Sequence, residues 1–361
     1  MRVSRLGTKQ SWKFMGMLLL LVVSVASLAS AASYKATVLT ADQSGIAPNT
    51  DPNMVNPWGI SYSPTGDFWF SDNATGLSTL YNSTGVPQSL VVTIPPPTGS
   101  TATSAPTGTV FNGTTGFVVT SGGKSGAASF LFDTEDGTIS GWSASVNINA
   151  AILAVDNSAS GAIYKGMELA TNGTSTFLYV TNFFAAKVEV YDNHYNPVTL
   201  SGSFTDPHLP SGFAPYNIRN IGGQLFVTFA KQDADKKDSK SGPGLGLVDI
   251  FDLNGNFVKR FASQGKLNAP WGLAQAPSNF GKFSSMILVG NFGDGHITAY
   301  DPSTGAAKGQ LSTSAGTPIA IPGLWAIMFG NGGQGGSTNL LYFTAGPAGE
   351  THGRFGSIQA H

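Results

Sequence analysis

The sequence predicts an all-β fold, a six-bladed β-propeller of four-stranded blades, and three observations predict it. A short phrase returns along the chain as "NPWGI", "APYNI", "NAPWGL" and "GLWAI". Charged residues make up 11% of the 361 positions, where an average soluble domain has about 25%. Short apolar runs are punctuated throughout by Gly, Asn, Ser and Thr, the residues of tight turns. Long amphipathic helices would need Glu, Lys, Arg and Leu at helical spacing, and no such segment is present.

Aligned on the small residue after the aromatic, the repeat falls at Gly59, Gly108, Gly166, Asn217, Gly272 and Ala326, with steps of 49, 58, 51, 55 and 54 residues. Each unit reads as a short strand, a turn, a stronger strand ending in a polar cluster, and two further strands. The stronger strands are expected at Asp67–Asn73, Gly116–Gly122, Phe177–Phe183, Gln224–Lys231, Met286–Phe292 and Leu340–Gly346. "DLNGN" and "DPSTG" supply hairpin turns with Gly at the left-handed position. Units of this size and strand content are the mark of a propeller, because one small sheet buries its faces only against radial neighbours. The sixth unit runs out of chain one strand short. "YKATVLTAD", at Tyr34–Asp42, stands unused before the first unit. It is therefore expected to complete the last blade and remove the open edges.

Residues 1–31 read as a signal peptide. Arg2, Arg5, Lys9 and Lys13 precede the apolar run Met15–Ala26, and Ala29–Ala31 offers small residues for cleavage. The run is short for a membrane span and diluted by Ser24 and Ser27, so no stable anchor is expected after cleavage. Residues 32–361 then form one domain, secreted, periplasmic or held in the cell envelope. The whole chain has 19 basic and 20 acidic residues; the segment carries four basic and no acidic ones, so its removal leaves a net charge of −5. A mildly acidic chain without a Lys/Arg cluster is a poor nucleic-acid binder. With no Cys, disulfides and thiolate metal sites are excluded.

In a propeller the start of each inner strand and the exit of each second strand open on one face. The starts are Trp58, Thr107, Lys165, Tyr216, Trp271 and Trp325. The exits bring Asp72 and Asn73, Ser121 and Lys124, Asn182, Lys231 and Gln232, Asn291 and Asp294, and Glu350 with His352. Apolar walls with a few polar groups suit a small ligand. The candidate ligand-binding residues are thus Trp58, Asp72, Asn73, Asn182, Tyr216, Lys231, Trp271, Asn291 and Trp325. The same tryptophans also read as packing pieces, and the asparagines as turn formers. Glu350 and His352, two apart in "GETHG", would project to one side of an extended segment as a metal pair or an acid and base. "DADKKDSKSGPG" (Asp233–Gly244) reads as a flexible insertion overhanging the mouth, lacking the Gly and closing Glu of a calcium loop. Glu135 and Asp136 fit a cation site or a plain hairpin turn equally. "GNGGQG" leads into a strand rather than a helix, so it is no dinucleotide loop, and no G-x-S-x-G elbow occurs.

"NPWGI…FWFSDNATGLSTLYN", "FDTEDGTISGW", "LVGNFGDGHITAYDPSTG" and "LYFTAGPAGETHGRFGSI" resemble a family of exported bacterial proteins of unknown function, over nearly the whole chain after the signal. That resemblance implies a six-bladed propeller and an exported location. More distantly the units are similar to NHL repeats and to the gluconolactonase and streptogramin-lyase propellers. Those propellers imply a divalent cation such as Ca²⁺ at the mouth, with Asn182, Asn291 and Glu350 as the matching ligands and Glu350 and His352 as the matching catalytic pair. The lactonase Glu at the first inner strand is replaced here by Asn56-Pro57-Trp58. Two functions are carried forward: a binding or scaffold module for a small molecule, glycan or protein partner, and a metal-dependent lactonase or lyase.

Overall fold

In the computed structural model, residues 33–361 are described, together with residues 1–4 and 7. Apart from those five positions, the expected signal peptide lies outside the described residues. From Tyr34 onward the repeats fold as six small antiparallel sheets. Blade 1 holds Pro57–Tyr62, Phe68–Asp72, Leu77–Tyr81 and Pro87–Thr93 from the channel outward. Blade 4 (Phe213–Ile221, Gln224–Gln232, Gly246–Phe251, Phe257–Ser263) and blade 5 (Pro270–Gln275, Ile287–Asn291, Ile297–Tyr300, Ala307–Gln310) repeat the order. Blade 3 has Tyr164–Asn172, Ser175–Asn182 and Lys187–Tyr191, and its fourth position is reduced to a bridge between Tyr191 and Pro197.

Blade 6 is closed as its missing strand predicted. Leu324–Phe329, Leu341–Ala345 and Arg354–Ala360 come from the end of the chain, and Tyr34–Ala41 pairs antiparallel along the outer edge. The closing strand is held by more than its ladder. The Tyr34 hydroxyl donates to Phe280 O at 2.9 Å, and Phe283 N donates to it at 2.9 Å, so the N-terminal strand is tied to blade 5 as well.

Blade 2 departs from the sequence reading. Its strands are Pro106–Phe111, Phe130–Thr134, Thr138–Trp142 and Ile152–Asp156. The stretch Gly116–Gly122, expected as the second strand, instead supplies one arm of an added hairpin, Val118–Ser121 with Lys124–Ala127. Both stretches have strand-forming residues, and burial decides between them. Phe130, Leu131 and Phe132 are buried on both faces of their strand, whereas Phe117 and Val119 are buried on one face and Val118 between them is 48% exposed. Ser121 and Lys124 thus sit on the hairpin, and the true exit of the second strand is Glu135.

The small residue of each repeat has a steric cause. A Cβ on Gly59 would stand 2.7 Å from Thr107 O of the next inner strand, and one on Gly272 would stand 2.8 Å from Trp325 O. Neighbouring inner strands run too close for a side chain there. Hydroxyls at the ends of the second strands then stitch the ring. Ser71 Oγ donates to Gly108 O at 3.1 Å, and Thr344 Oγ1 to Trp58 O at 2.7 Å, each reaching the next blade. Asn217, where Gly is absent, uses its amide likewise, donating to Trp271 O at 2.8 Å.

Candidate functional site

The starts of the inner strands converge, as predicted, but their rings pack against one another. Trp58 and Trp325 stack with centroids 3.5 Å apart, and Trp271 meets them edge-on at 6.3 and 6.0 Å. Phe292 stacks on Trp325 at 4.1 Å, and Tyr216 lies 6.2 Å from it. All four sequence-selected rings (Trp58, Tyr216, Trp271, Trp325) are buried. Stacked and edge-on pairs contribute roughly 0.5–1.5 kcal/mol each beyond area burial. Here they form an aromatic plug across the channel.

Charge collects around this plug. Lys165, at the start of the third inner strand, is 1% exposed. Its Nζ donates to Glu135 Oε1, lies 3.6 Å from Asp238 Oδ1, and stands 5.0 Å from the centroid of the Trp58 ring. Glu135 Oε2 accepts from Asn73 Nδ2 at 3.1 Å, and Asn73 Oδ1 accepts from Asn56 Nδ2 at 3.2 Å. Asn56 Nδ2 also donates to Glu350 Oε2 at 2.8 Å, while Asn56 Oδ1 receives Trp325 Nε1 at 2.9 Å. One polar chain therefore runs from Lys165 through Glu135, Asn73 and Asn56 to Glu350, and is anchored to the plug.

The two glutamates are driven in opposite directions. Burial raises Glu350, further assisted by the charges of Glu135 and Asp238, against the Asn56 hydrogen bond and Lys165. Burial also works against the charge of Glu135, but Lys165, by its charge and hydrogen bond, and Asn73 outweigh it and hold its carboxyl below the usual range. Asn56 and Glu350 both adopt positive φ, 51° and 68°. Asn tolerates the left-handed region, whereas a Glu there is uncommon.

The insertion at Asp233–Gly244 overhangs this cluster, as its place in the repeat suggested. Ser239–Lys240 pairs with Lys231–Gln232, Ser239 Oγ donates to Tyr216 Oη at 3.1 Å, and Asp238 reaches Lys165.

Other selected residues go elsewhere. Asp72 turns into blade 1, where Thr79 Oγ1 donates to its Oδ2 at 2.7 Å and burial raises its carboxyl well above the usual range. His352 does not join Glu350. Residues Pro347–Glu350 form a helical turn with Ala348, Gly349 and Glu350 all at positive φ, so the extended spacing does not apply. His352 Nδ1 lies 2.7 Å from Asp42 Oδ2 instead. Lys231 donates to Ser211 O at 2.6 Å. Asn182 Oδ1 accepts from Ala185 N at 3.0 Å, and Asn291 Oδ1 from Asn268 N at 3.2 Å. Each of these oxygens thus already accepts one backbone N–H. No group of three His, Asp or Glu placed to hold a metal exists among the described residues. Asn182, Asn291 and Glu350, the ligand set that the distant resemblance implied, share no hydrogen-bonding partner.

Lys165, Asn56 and Asp238 are members of the cluster that the sequence did not select as binding residues, and Glu135 was read there only as a cation or turn residue. The run "FLFDTE", once aligned as the second strand of blade 2, places Glu135 at the same exit as Asn73 in blade 1.

No family model matches the sequence. The chain is 32% identical over 331 residues to an uncharacterized protein of Acanthamoeba polyphaga mimivirus, covering 90% of this chain and 80% of that protein. The protein belongs to that family. A second uncharacterized protein of the same virus is 32% identical over 300 residues, with 81% and 78% covered. These relatives are viral rather than the bacterial proteins that the resemblance implied. Among solved structures, the chain is similar to the Penicillium chrysogenum alpha-L-arabinanase complexed with arabinobiose, at 11% identity and TM-score 0.54, over 90% of this chain and 97% of that one. It is also similar to a streptogramin B lyase, at 12% identity and TM-score 0.49, over 91% and 97%. At such identities the likeness is one of fold.

Proposed function

We propose that the protein is a binding module that takes a small polyhydroxylated ligand, such as a glycan end, at the channel mouth beneath the 233–244 insertion. The observation that carries this reading is Lys165. The corresponding positions of blades 1, 4, 5 and 6 bear aromatic residues, so the ring does not require a charge there. Burying an ammonium costs several kcal/mol unless it is paired, and Lys165 is held buried by Glu135. Glu135, Glu350, Asn56 and Asn73 offer acceptors and donors suited to vicinal hydroxyls, and lifting Asp238 would open access to them. Export, with removal of residues 1–31, belongs to this reading. N-terminal sequencing of the secreted protein should find a start near Ala32.

The lactonase or lyase alternative gains no support from the positions of Asn182, Asn291 and His352. A glycan array followed by calorimetry on the best hit tests the proposal. Lys165→Met and Glu135→Gln should each weaken binding at least tenfold. An array without hits, or unchanged affinity in both variants, would sink it.

A further inference from the structure

At the other end of the channel the inner strands finish around a cavity of about 240 Å³, lined in part by Tyr62, Ile221, Leu273, Met328 and Phe329. Arg219 stands in the fourth inner strand, two residues before its end. It lines both this cavity and a smaller one of about 20 Å³ deeper in the channel. Its side chain is 28% exposed.

The partners of Arg219 account for only one edge of the guanidinium. Nε lies 3.4 Å from Glu168 Oε2, and that oxygen also accepts from Asn220 N at 3.1 Å. The other oxygen of Glu168 accepts from Leu169 N at 3.1 Å. Glu168 does not line the cavity. Among the described residues, neither terminal nitrogen of Arg219 makes a hydrogen bond, and a guanidinium carries five donors in a rigid fork. The Tyr62 hydroxyl, which donates to Phe329 O at 2.8 Å, makes no hydrogen bond with Arg219. An ion pair tying blade 3 to blade 4 explains Nε. It does not explain why an arginine with unpaired terminal nitrogens lines a cavity where Ile221, Leu273, Met328 and Phe329 stand beside Asn220 and Gln275.

We propose that this end of the channel is a second binding site, for a small organic carboxylate with a compact apolar body. The carboxylate would take the terminal nitrogens of the guanidinium in a bidentate pair, and the body would pack against Leu273, Met328 and Phe329. A bare inorganic anion would leave those apolar side chains wet. The site is independent of the reading of the mouth.

The test uses the chain from Ala32 onward with benzoate, benzamide and inorganic phosphate as probes, followed by saturation-transfer NMR and thermal melting. Benzoate should show saturation transfer and raise the melting temperature, whereas benzamide and phosphate should do neither. Arg219→Lys, which keeps the charge beside Glu168 but loses the fork, should weaken benzoate at least tenfold, and Arg219→Gln should abolish it. Should Arg219→Gln fail to fold, Arg219→Lys decides alone. Equal binding of benzoate and benzamide, a phosphate shift matching that of benzoate, no benzoate signal, or undiminished binding in Arg219→Lys would each overturn the proposal.

Discussion

Lys165→Met removes one charge from a site where the other cannot follow it into water. Glu135 has a side chain 12% exposed, and among the described residues Lys165 is its one cationic contact within 4 Å. Breaking a buried pair from one side costs roughly 3–5 kcal/mol, because the remaining charge stays desolvated. Asp238, 66% exposed, is well solvated and adds little to that figure. At roughly 2 °C per kcal/mol for a domain above 150 residues, melting should fall by about 6–10 °C. Adding Glu135→Gln should recover most of the loss, since replacing both partners by neutral groups is often nearly free. The pH dependence should invert. In the wild type Glu135 is held low, so its contribution is present above the unfolded carboxylate range and lost as pH falls through the folded value. In Lys165→Met, burial, the largest influence on Glu135, is opposed only by the Asn73 hydrogen bond and the charge of Lys237 and raises it, so the variant should gain stability relative to wild type on acidification. Denaturant melts of the four proteins of this cycle, at neutral and acidic pH, read all of this. A loss under about 1 kcal/mol, or no recovery in the double variant, would refute the view of Lys165 as a buried charge held by Glu135.

Two further perturbations examine the ring and the mouth. Tyr34→Ala should destabilise by roughly 3–5 kcal/mol, the cost of truncating a buried aromatic; a smaller effect in chemical denaturation would mean that the closing strand contributes little. Glu350 is raised by burial, so its share of stability is present below the unfolded carboxylate range and fades as pH rises through the folded value. Glu350→Gln should flatten that slope in melts across pH 4–8 without lowering stability at neutral pH, and a steeper slope would contradict the assignment.

The architecture was legible because its physical cause is local. A ring of inner strands this tight favours a small residue once per blade, and Gly59, Gly108, Gly166, Gly272 and Ala326 show it as a period that Asn217 alone interrupts. Closure was legible as well, since a sixth unit one strand short and a spare strand at Tyr34–Ala41 leave one economical pairing. The site was only partly legible. Glu135 was read as a cation or turn residue and not placed at the mouth, because "GFVVTSG" and "FLFDT" are equally good strands by pattern, and they differ in that only the second is buried on both faces. Glu350 and His352 were paired on the assumption of an extended segment. The left-handed residues Ala348, Gly349 and Glu350 instead curl the chain and send the imidazole to Asp42. The tryptophans were ambiguous for a physical reason, because convergence on the channel axis is the same signal for a ligand surface and for a plug.

That plug bears on how the two ends of the channel relate. Trp325 is stacked between Trp58 and Phe292 and holds Asn56 through its indole N–H, but it does not line either cavity toward Arg219. The small cavity on that side, about 20 Å³, is near the minimum of roughly 10–15 Å³ that admits a water, so no ligand bridges the plug. Trp325→Phe keeps a ring in the stack and removes only the N–H. Leaving Asn56 Oδ1 without its donor should cost roughly 1–3 kcal/mol and loosen the chain from Asn56 to Glu350, weakening whatever the mouth binds. Benzoate affinity at Arg219 should stay within twofold, measured by calorimetry on the same preparation. If Trp325→Phe moved benzoate affinity as much as it moved stability, the plug would be transmitting between the ends rather than dividing them, and the two sites would have to be treated as one coupled system.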